Sequence, residues 1–299
     1  METKRNISLT ETESINTNSE NFDKLPLNEM AEIMCAENLN AANAVHKAKK
    51  EIIKAVKFTE QTYLNGGKII FMGAGTSGRL GILEAAECPP TFSTPQNVFT
   101  ALIAGGNKAV FKSVEGAEDN LKQGAKDFLK IANKKDLLIV IASSGTTPYV
   151  LGALAAAKKN GNKTVFISSN KTAKNAGADI TIYLNTGAEV ISGSTRLKAG
   201  TAQKLVLNML TTMAMARVGK VYKNYMVDLQ AKNEKLKNRA IRLIALSANI
   251  TTEEAKKYAQ KTNYSIKEAV IMAKLKLNRK QAQNLLKKHK GFLRSALNE

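Results

Sequence analysis

Leu137-Leu-Ile-Val-Ile-Ala-Ser-Ser-Gly-Thr-Thr-Pro-Tyr149 decides the fold. Residues 137–142 are the longest uninterrupted apolar run in the chain and have the length of a strand. A strand without polar alternation is apolar toward both faces, as in a parallel sheet covered by helices on each side. Residues 143–147 then turn the chain, and Pro148 sits in the first turn of a helix, where its missing N–H costs nothing. The same strand, polar loop and helix recur in Lys68-Ile-Ile-Phe-Met-Gly-Ala-Gly-Thr-Ser-Gly-Arg-Leu80. Outward from these two units, apolar runs at 98–103, 164–168 and 180–184 alternate with helical segments at 78–87, 116–132 and 148–160 and a short piece near 172–176. Strands alternating with helices read as βαβ units. The expected fold is α/β: a three-layer, doubly wound parallel sheet with a small all-helical C-terminal module.

The flanks set the domain limits. Residues 1–25 have few apolar residues and no period, which predicts a flexible arm. Helical patterning runs from Leu27 to Tyr63 with a break near residues 38–40, and Asn65-Gly66-Gly67 ends it. A long helix is expected over 198–218. Beyond Asn233 the strands cease, and short amphipathic segments at 241–246, 254–258, 266–272 and 281–286 remain. Thr251 with Glu254, and Ser265 with Glu268, have capping-box spacing. The expected division is an arm at 1–25, a main domain at 26–230 and a helical module at 231–299.

Composition excludes several function classes. At 299 residues and 43% apolar content there is material for a sizeable core. A membrane helix needs about 20 apolar residues, far more than the run at 137–142. The polar first 23 residues have no signal-peptide core. The two cysteines, Cys35 and Cys88, form neither a disulfide framework nor a metal motif, so a cytoplasmic location is expected, with no metal and no cofactor. The net charge of +20 suggests nucleic acid, but 37 of the 45 basic residues are Lys. Arg is the group suited to bidentate phosphate and base recognition. A solvated lysine surface is the preferred reading, and a nucleic-acid partner is not expected.

Four stretches carry possible chemistry. In Gly73–Gly78 the spacing is G-x-G-x-x-G, and Gly75, Thr76 and Ser77 offer backbone N–H groups and hydroxyls to an anion at a helix start. The acidic residue expected about 20 positions on in a dinucleotide site is missing, since 93–104 hold no Asp or Glu. Ser143, Ser144, Gly145, Thr146 and Thr147 form a second hydroxyl cradle. Two such loops at the carboxyl ends of parallel strands face one crevice, which favours a phosphorylated small molecule. The third stretch is acidic. Glu87, before Pro89-Pro90, is placed at a helix C-terminus that disfavours negative charge, and Glu118 at a helix start that favours it, so the two have opposite biases suited to acid and base roles. The bland alternative is that Glu118 and Asp119 are ordinary first-turn residues. In the fourth stretch, residues 187–204, Ser194, Arg196 and Lys198 are candidates for phosphate or carboxylate binding, as is Arg79 in the first; a plain loop with a helix cap is the competing reading.

These stretches in this order resemble the N-acetylmuramic acid 6-phosphate etherase family, whose members carry a sugar isomerase (SIS) domain. The most specific matches are Glu87-Cys-Pro-Pro-Thr91 and Ser194-Thr-Arg-Leu-Lys-Ala-Gly-Thr-Ala-Gln-Lys204, and the likeness runs from about residue 20 to the C-terminus. The resemblance implies cleavage of the D-lactyl ether to N-acetylglucosamine 6-phosphate and D-lactate by elimination then hydration, in recycling of cell-wall sugars. It places the family's two active-site glutamates on Glu87, as proton donor, and Glu118. Two positions depart from the family pattern: Thr146 stands where Arg is common, and Ser93 where Gly is. Glu87 lies ten residues after Ser77, about 15 Å along a continuous helix. Glu87 is therefore expected to complete the pocket of a neighbouring subunit in a homodimer. A sugar-phosphate sensor and an aldose–ketose isomerase are the competing functions; scarce Arg argues against the first, and the second would not need the Glu-Cys-Pro-Pro block.

Overall fold

The computed structural model describes residues 10–298. They group into two compact units: residues up to Ala86 with Asn97–Leu210, and Glu87–Gln96 with residues from Thr211 onward. In chain order the structure has α1 (Leu27–Lys47) and α2 (Lys49–Leu64), followed by β1 (Ile69–Gly73), α3 (Gly75–Phe92, its residues from Glu87 belonging to the second unit), β2 (Phe99–Ile103) and the single turn α4 (Lys108–Phe111). A 3-10 turn at Ala117–Asp119 leads to α5 (Leu121–Ile131), β3 (Leu137–Ile141), α6 (Pro148–Asn160), β4 (Lys163–Ser168), β5 (Ile180–Tyr183) and α7 (Lys198–Arg217). The five strands are parallel, in the order β2-β1-β3-β4-β5.

The apolar runs suit that order. Strands β1 and β3 are buried at every position, as the centre of a covered sheet requires. On one face Ile70, Met72, Leu138, Val140 and Phe166 pack with Phe128 of α5 and Tyr149, Val150, Ala153 and Leu154 of α6. The alternate residues, Ile69, Phe71, Leu137, Ile139 and Ile141, are also at most 1% exposed. Helix α2 packs on β1, β3 and β5, and Gly81 of α3 lies close enough to Phe71 that an added Cβ would sit 3.0 Å away. The expected three-layer doubly wound sheet is present.

Helices α5 and α6 touch through glycine. A Cβ on Gly124 would fall 1.8 Å from the Tyr149 carbonyl oxygen, and one on Gly152 would fall 1.9 Å from that of Leu121. The Tyr149 hydroxyl donates to Asp127 of α5 at 2.9 Å. Burial first, then the neighbouring carboxylate, pushes this phenol well above its ordinary range.

The second unit contains α8 (Glu234–Ala248), α9 (Thr252–Lys261), α10 (Ile266–Leu275), α11 (Arg279–Lys288) and α12 (Leu293–Ala296), packed around Ile244, Ala255, Ile266, Val270, Ile271 and Leu293. Asp228 ties its parts together, accepting from Lys267 at 2.7 Å and pairing with Lys220 at 3.2 Å. Ser93 has φ +50°, a left-handed conformation favouring glycine, and its hydroxyl donates to the Asp228 carbonyl. A glycine would adopt this conformation without strain.

Several boundaries differ from the sequence reading. The break in the first helical region falls at Ala48, not at 38–40; Asn38 and Asn40 simply lie on the exposed face of α1. Helix α3 continues through Pro89 and Pro90 to Phe92. The prolines deprive Ala85 and Ala86 of their usual donors without ending the helix. Glu87 is therefore five residues from the helix end, and the field of a helix terminus decays within one turn. The segment expected as one helix over 116–132 splits at Asn120, whose side chain caps α5 by accepting from the Gln123 N–H. The Thr251–Glu254 capping box is formed, whereas Ser265 makes no side-chain capping bond, and the Glu268 carboxylate pairs with Arg279 at 2.7 Å. Asn278 and Gln281 form a second box instead.

Candidate functional site

The doubly wound order dictates where a ligand fits. From β1 the chain goes to one edge of the sheet, and from β3 to the other, so the crevice between their carboxyl ends is the topological switch point. Gly73 pairs with Ile141, which brings the loops following β1 and β3 out side by side. A cavity of about 280 Å³ lies there. From the first loop it is lined by Ala74, Gly75, Thr76 and Ser77, and from the second by Ile141, Ala142, Ser143, Ser144 and Thr147. Glu118, Gly193, Thr195, Thr12 and Glu13 complete the lining.

The glycines of the first loop serve different ends. Gly75 has φ +51° and lets the strand pass directly into the helix. A Cβ on Gly73 would meet the Gly78 nitrogen at 2.7 Å, and one on Gly78 would meet the Gly73 oxygen at 2.8 Å. The turn is therefore tight enough to aim the first N–H groups of α3 into the cavity. In the second loop Gly145 has φ +75°, and a Cβ there would crowd Thr172 and Ala173. Helix N-termini from α3 and α6 thus meet at one polar cavity, an arrangement suited to an anion.

A side chain absent from the sequence-based candidates joins the two loops. Gln203 of α7 is fully buried; it accepts from Ser77 Oγ at 2.9 Å and donates through Nε2 to Ser143 Oγ at 2.9 Å. It lies in the Thr-Ala-Gln-Lys stretch, where a glutamine inside a helix carries no local signal of such a role. Asn170, also fully buried, donates to the Ser143 carbonyl at 2.7 Å. Thr172 donates to the Ser144 carbonyl at 3.0 Å, and Ser144 Oγ accepts from the Thr146 N–H at 3.2 Å.

The sequence candidates divide accordingly. Gly75, Thr76, Ser77, Ser143, Ser144, Thr147 and Glu118 line one cavity. Gly145 shapes it, and Thr146 points to solvent. Arg79 lines an adjoining cavity with Val114, Glu115, Gly116 and Glu118, and its Nε donates to the Val110 carbonyl at 2.9 Å. Ser194 and Arg196 are not among the lining residues; Gly193 and Thr195, one position away, are. Arg196 is exposed.

Lys198 has a different setting from the one expected. It is 2% exposed, and its ammonium pairs with Glu37 of α1. Glu189 accepts from the backbone N–H groups of Lys198 and Ala199 at 3.0 and 2.9 Å, closing the start of α7. Burial raises the Glu37 carboxyl, but hydrogen bonds from Lys198 and Asn18 outweigh it and hold the group below its ordinary value. For Glu189 burial dominates and the net shift is upward. Lys204 is likewise paired, with Glu84 at 2.6 Å. Among the described residues, anion binding in this cavity falls to hydroxyls and backbone N–H groups. Glu87 is exposed on α3 and belongs to the second compact unit.

Comparison with known proteins gives matches over nearly the whole chain. Residues 51–158 match the glucokinase regulatory protein N-terminal SIS domain, and residues 117–213 match the SIS domain. The N-acetylmuramic acid 6-phosphate etherase of Bacillus cytotoxicus is 48% identical over 288 residues, covering 96% of this chain and 98% of its own. That of Clostridium botulinum is 44% identical over 298 residues, covering 98% and 99%. The Geobacillus sp. protein of the same name is 45% identical over 288 residues, covering 96% and 98%.

Proposed function

The chain belongs to the N-acetylmuramic acid 6-phosphate etherase family, and from that premise we propose that it cleaves the D-lactyl ether of N-acetylmuramic acid 6-phosphate, as a carbon–oxygen lyase of cell-wall sugar recycling. The observation that carries the reading is the cavity at the switch point, where two hydroxyl loops and two helix N-termini meet Glu118. The 6-phosphate binds the loops of Thr76–Ser77 and Ser143–Thr147. Glu118 takes the C2 proton of the ring-opened sugar, which the C1 aldehyde acidifies. The C3–O bond breaks as the C2=C3 double bond forms, and the departing lactate oxygen receives a proton from Glu87. Water then adds at C3 and a proton returns to C2, so the net reaction consumes one water. No step needs an oxidant.

Glu87 acts across a homodimer in this reading. Ten residues of helix separate it from Ser77, about 15 Å at 1.5 Å per residue, and its carboxylate faces solvent. Phe111 and Val114, 88% and 41% exposed, precede Glu118 in the chain and are apolar surface that a second copy would cover.

Reaction in heavy water tests the chemistry. The expected product is N-acetylglucosamine 6-phosphate with deuterium at C2, released in equal amount with D-lactate. Lactate release with C2 fully protiated would contradict the elimination step.

A further inference from the structure

The segment before α1 reaches the cavity through an extended set of anchors. The Thr12 N–H and hydroxyl both engage Asn170, at 3.4 and 3.0 Å, and the same Asn170 donates to the Ser143 carbonyl at 2.7 Å. The Gly193 N–H donates to the Thr12 carbonyl at 3.1 Å, and the Ser192 hydroxyl to the Glu13 carbonyl at 3.0 Å. Further along, Asn16 donates to the Ala188 carbonyl at 3.1 Å, and Ser19 to that of Val190 at 2.8 Å. Thr12 and Ser19 are buried. Anchors on both sides of Glu13 fix its backbone against residues 188–193 and place its side chain in the cavity lining.

Glu13 has no assigned role in anion binding, and a carboxylate would repel a phosphate. Its oxygen lies where a Cβ on Gly193 would be 2.7 Å away, so glycine is needed there for the carboxylate to sit as it does. No side-chain hydrogen bond or ion pair engages the Glu13 carboxylate among the described residues. A carboxylate beside hydroxyl-rich phosphate loops is an acceptor for whatever donors the rest of the ligand carries.

We propose that Glu13 is a substrate-binding residue whose carboxylate accepts a hydrogen bond from a hydroxyl or amide N–H of the sugar, while the loops after β1 and β3 hold its phosphate. This rests on the sugar-phosphate reading of the cavity. Glu13→Ala and Glu13→Gln are compared with the wild-type full chain by direct titration with N-acetylglucosamine 6-phosphate, glucose 6-phosphate and inorganic phosphate. Charge-assisted hydrogen bonds are worth enough that Glu13→Ala should weaken sugar-phosphate binding about 10-fold or more. Phosphate affinity should stay unchanged, and Glu13→Gln, which keeps an acceptor oxygen, should recover part of the loss. A larger loss for the N-acetylated sugar assigns the bond to the amide, and equal losses assign it to a hydroxyl. Unchanged sugar-phosphate binding in Glu13→Ala overturns the proposal. An equal loss for inorganic phosphate also overturns it, because that is what detachment of the segment would produce. Because binding is read directly, a wild-type chain that binds both sugars yet releases no lactate would refute the etherase reading and leave this one standing.

Discussion

Gln203 of α7 holds the two hydroxyl loops together, accepting from Ser77 and donating to Ser143. Ser77 and Ser143 were legible because a hydroxyl after a strand and before a helix has an obvious use. Gln203, which bridges them, was not, because a glutamine inside a helix has no local signal. Replacing Gln203 by Leu leaves both serine hydroxyls without their partner in a buried place, which costs about 1–3 kcal/mol. The expected outcome is a KM for the sugar phosphate raised roughly 10-fold or more, with kcat less affected; unchanged steady-state kinetics would argue against the bridge. Lys198 teaches the converse. Its position in a basic, glycine-rich stretch suggested an anion ligand, yet the fold commits its ammonium to Glu37. Lys198→Met strands a buried carboxylate, and breaking such a pair from one side costs about 3–5 kcal/mol. Thermal or denaturant unfolding should show a loss of that size, and one below about 1 kcal/mol would contradict the pairing.

The same pair governs acid stability. The Glu37 carboxyl is held below its ordinary value of 4.5, so the folded state prefers its ionised form. Its contribution is complete above that value and is lost as pH falls through the lower folded value. Glu189 has the opposite shift, so its burial costs stability at neutral pH and the cost recedes on acidification. Glu37→Gln should therefore flatten the acid limb of the stability curve. An acid limb with the wild-type slope would contradict the assignment.

At the scale of elements, the apolar runs located every strand of the sheet: β1 and β3 are unbroken, and β2, β4 and β5 are apolar runs interrupted only by Thr or flanked by Lys and Ser. Periodicity misjudged the limits of helices wherever a local signal competed with packing. Asn38–Asn40 looked like a break but lies in mid-helix, and the prolines at 89–90 looked like a stop but fall inside α3. The N-terminal segment shows the other failure: its hydrogen bonds run from side chains to loop carbonyls, which leaves no period to read. Residues 1–9 of the expected arm lie outside the described residues. The α5–α6 contact rests on Gly124 and Gly152 meeting opposing carbonyl oxygens. Overpacking of a core contact costs about 1–3 kcal/mol, so Gly124→Ala or Gly152→Ala should lower the melting temperature by several degrees. A variant melting with the wild type would show that the helices separate freely.

At the scale of the whole molecule, the +20 charge has little to do with the cavity itself, whose lining among the described residues includes neither Lys nor Arg. Lysines spread over the surface still favour the approach of an anionic sugar through their summed field. The proposed role of Glu87 in the partner's pocket is testable by complementation. Glu87→Gln and Glu118→Gln should each be inactive alone. Mixed and reassorted, they should regain about a quarter of wild-type activity, since half the dimers are then mixed and each has one intact site of two. No recovery would place both glutamates in one subunit's site.

The most direct test of the central claim is D-lactate release from N-acetylmuramic acid 6-phosphate by the wild-type chain and by Glu118→Gln. The wild type should release lactate stoichiometrically with N-acetylglucosamine 6-phosphate. Glu118→Gln should bind the substrate with similar affinity yet turn it over at least about 100-fold more slowly, as loss of a positioned acid–base group implies. A folded wild-type chain that releases no lactate, or a Glu118→Gln variant as fast as the wild type, would contradict the account.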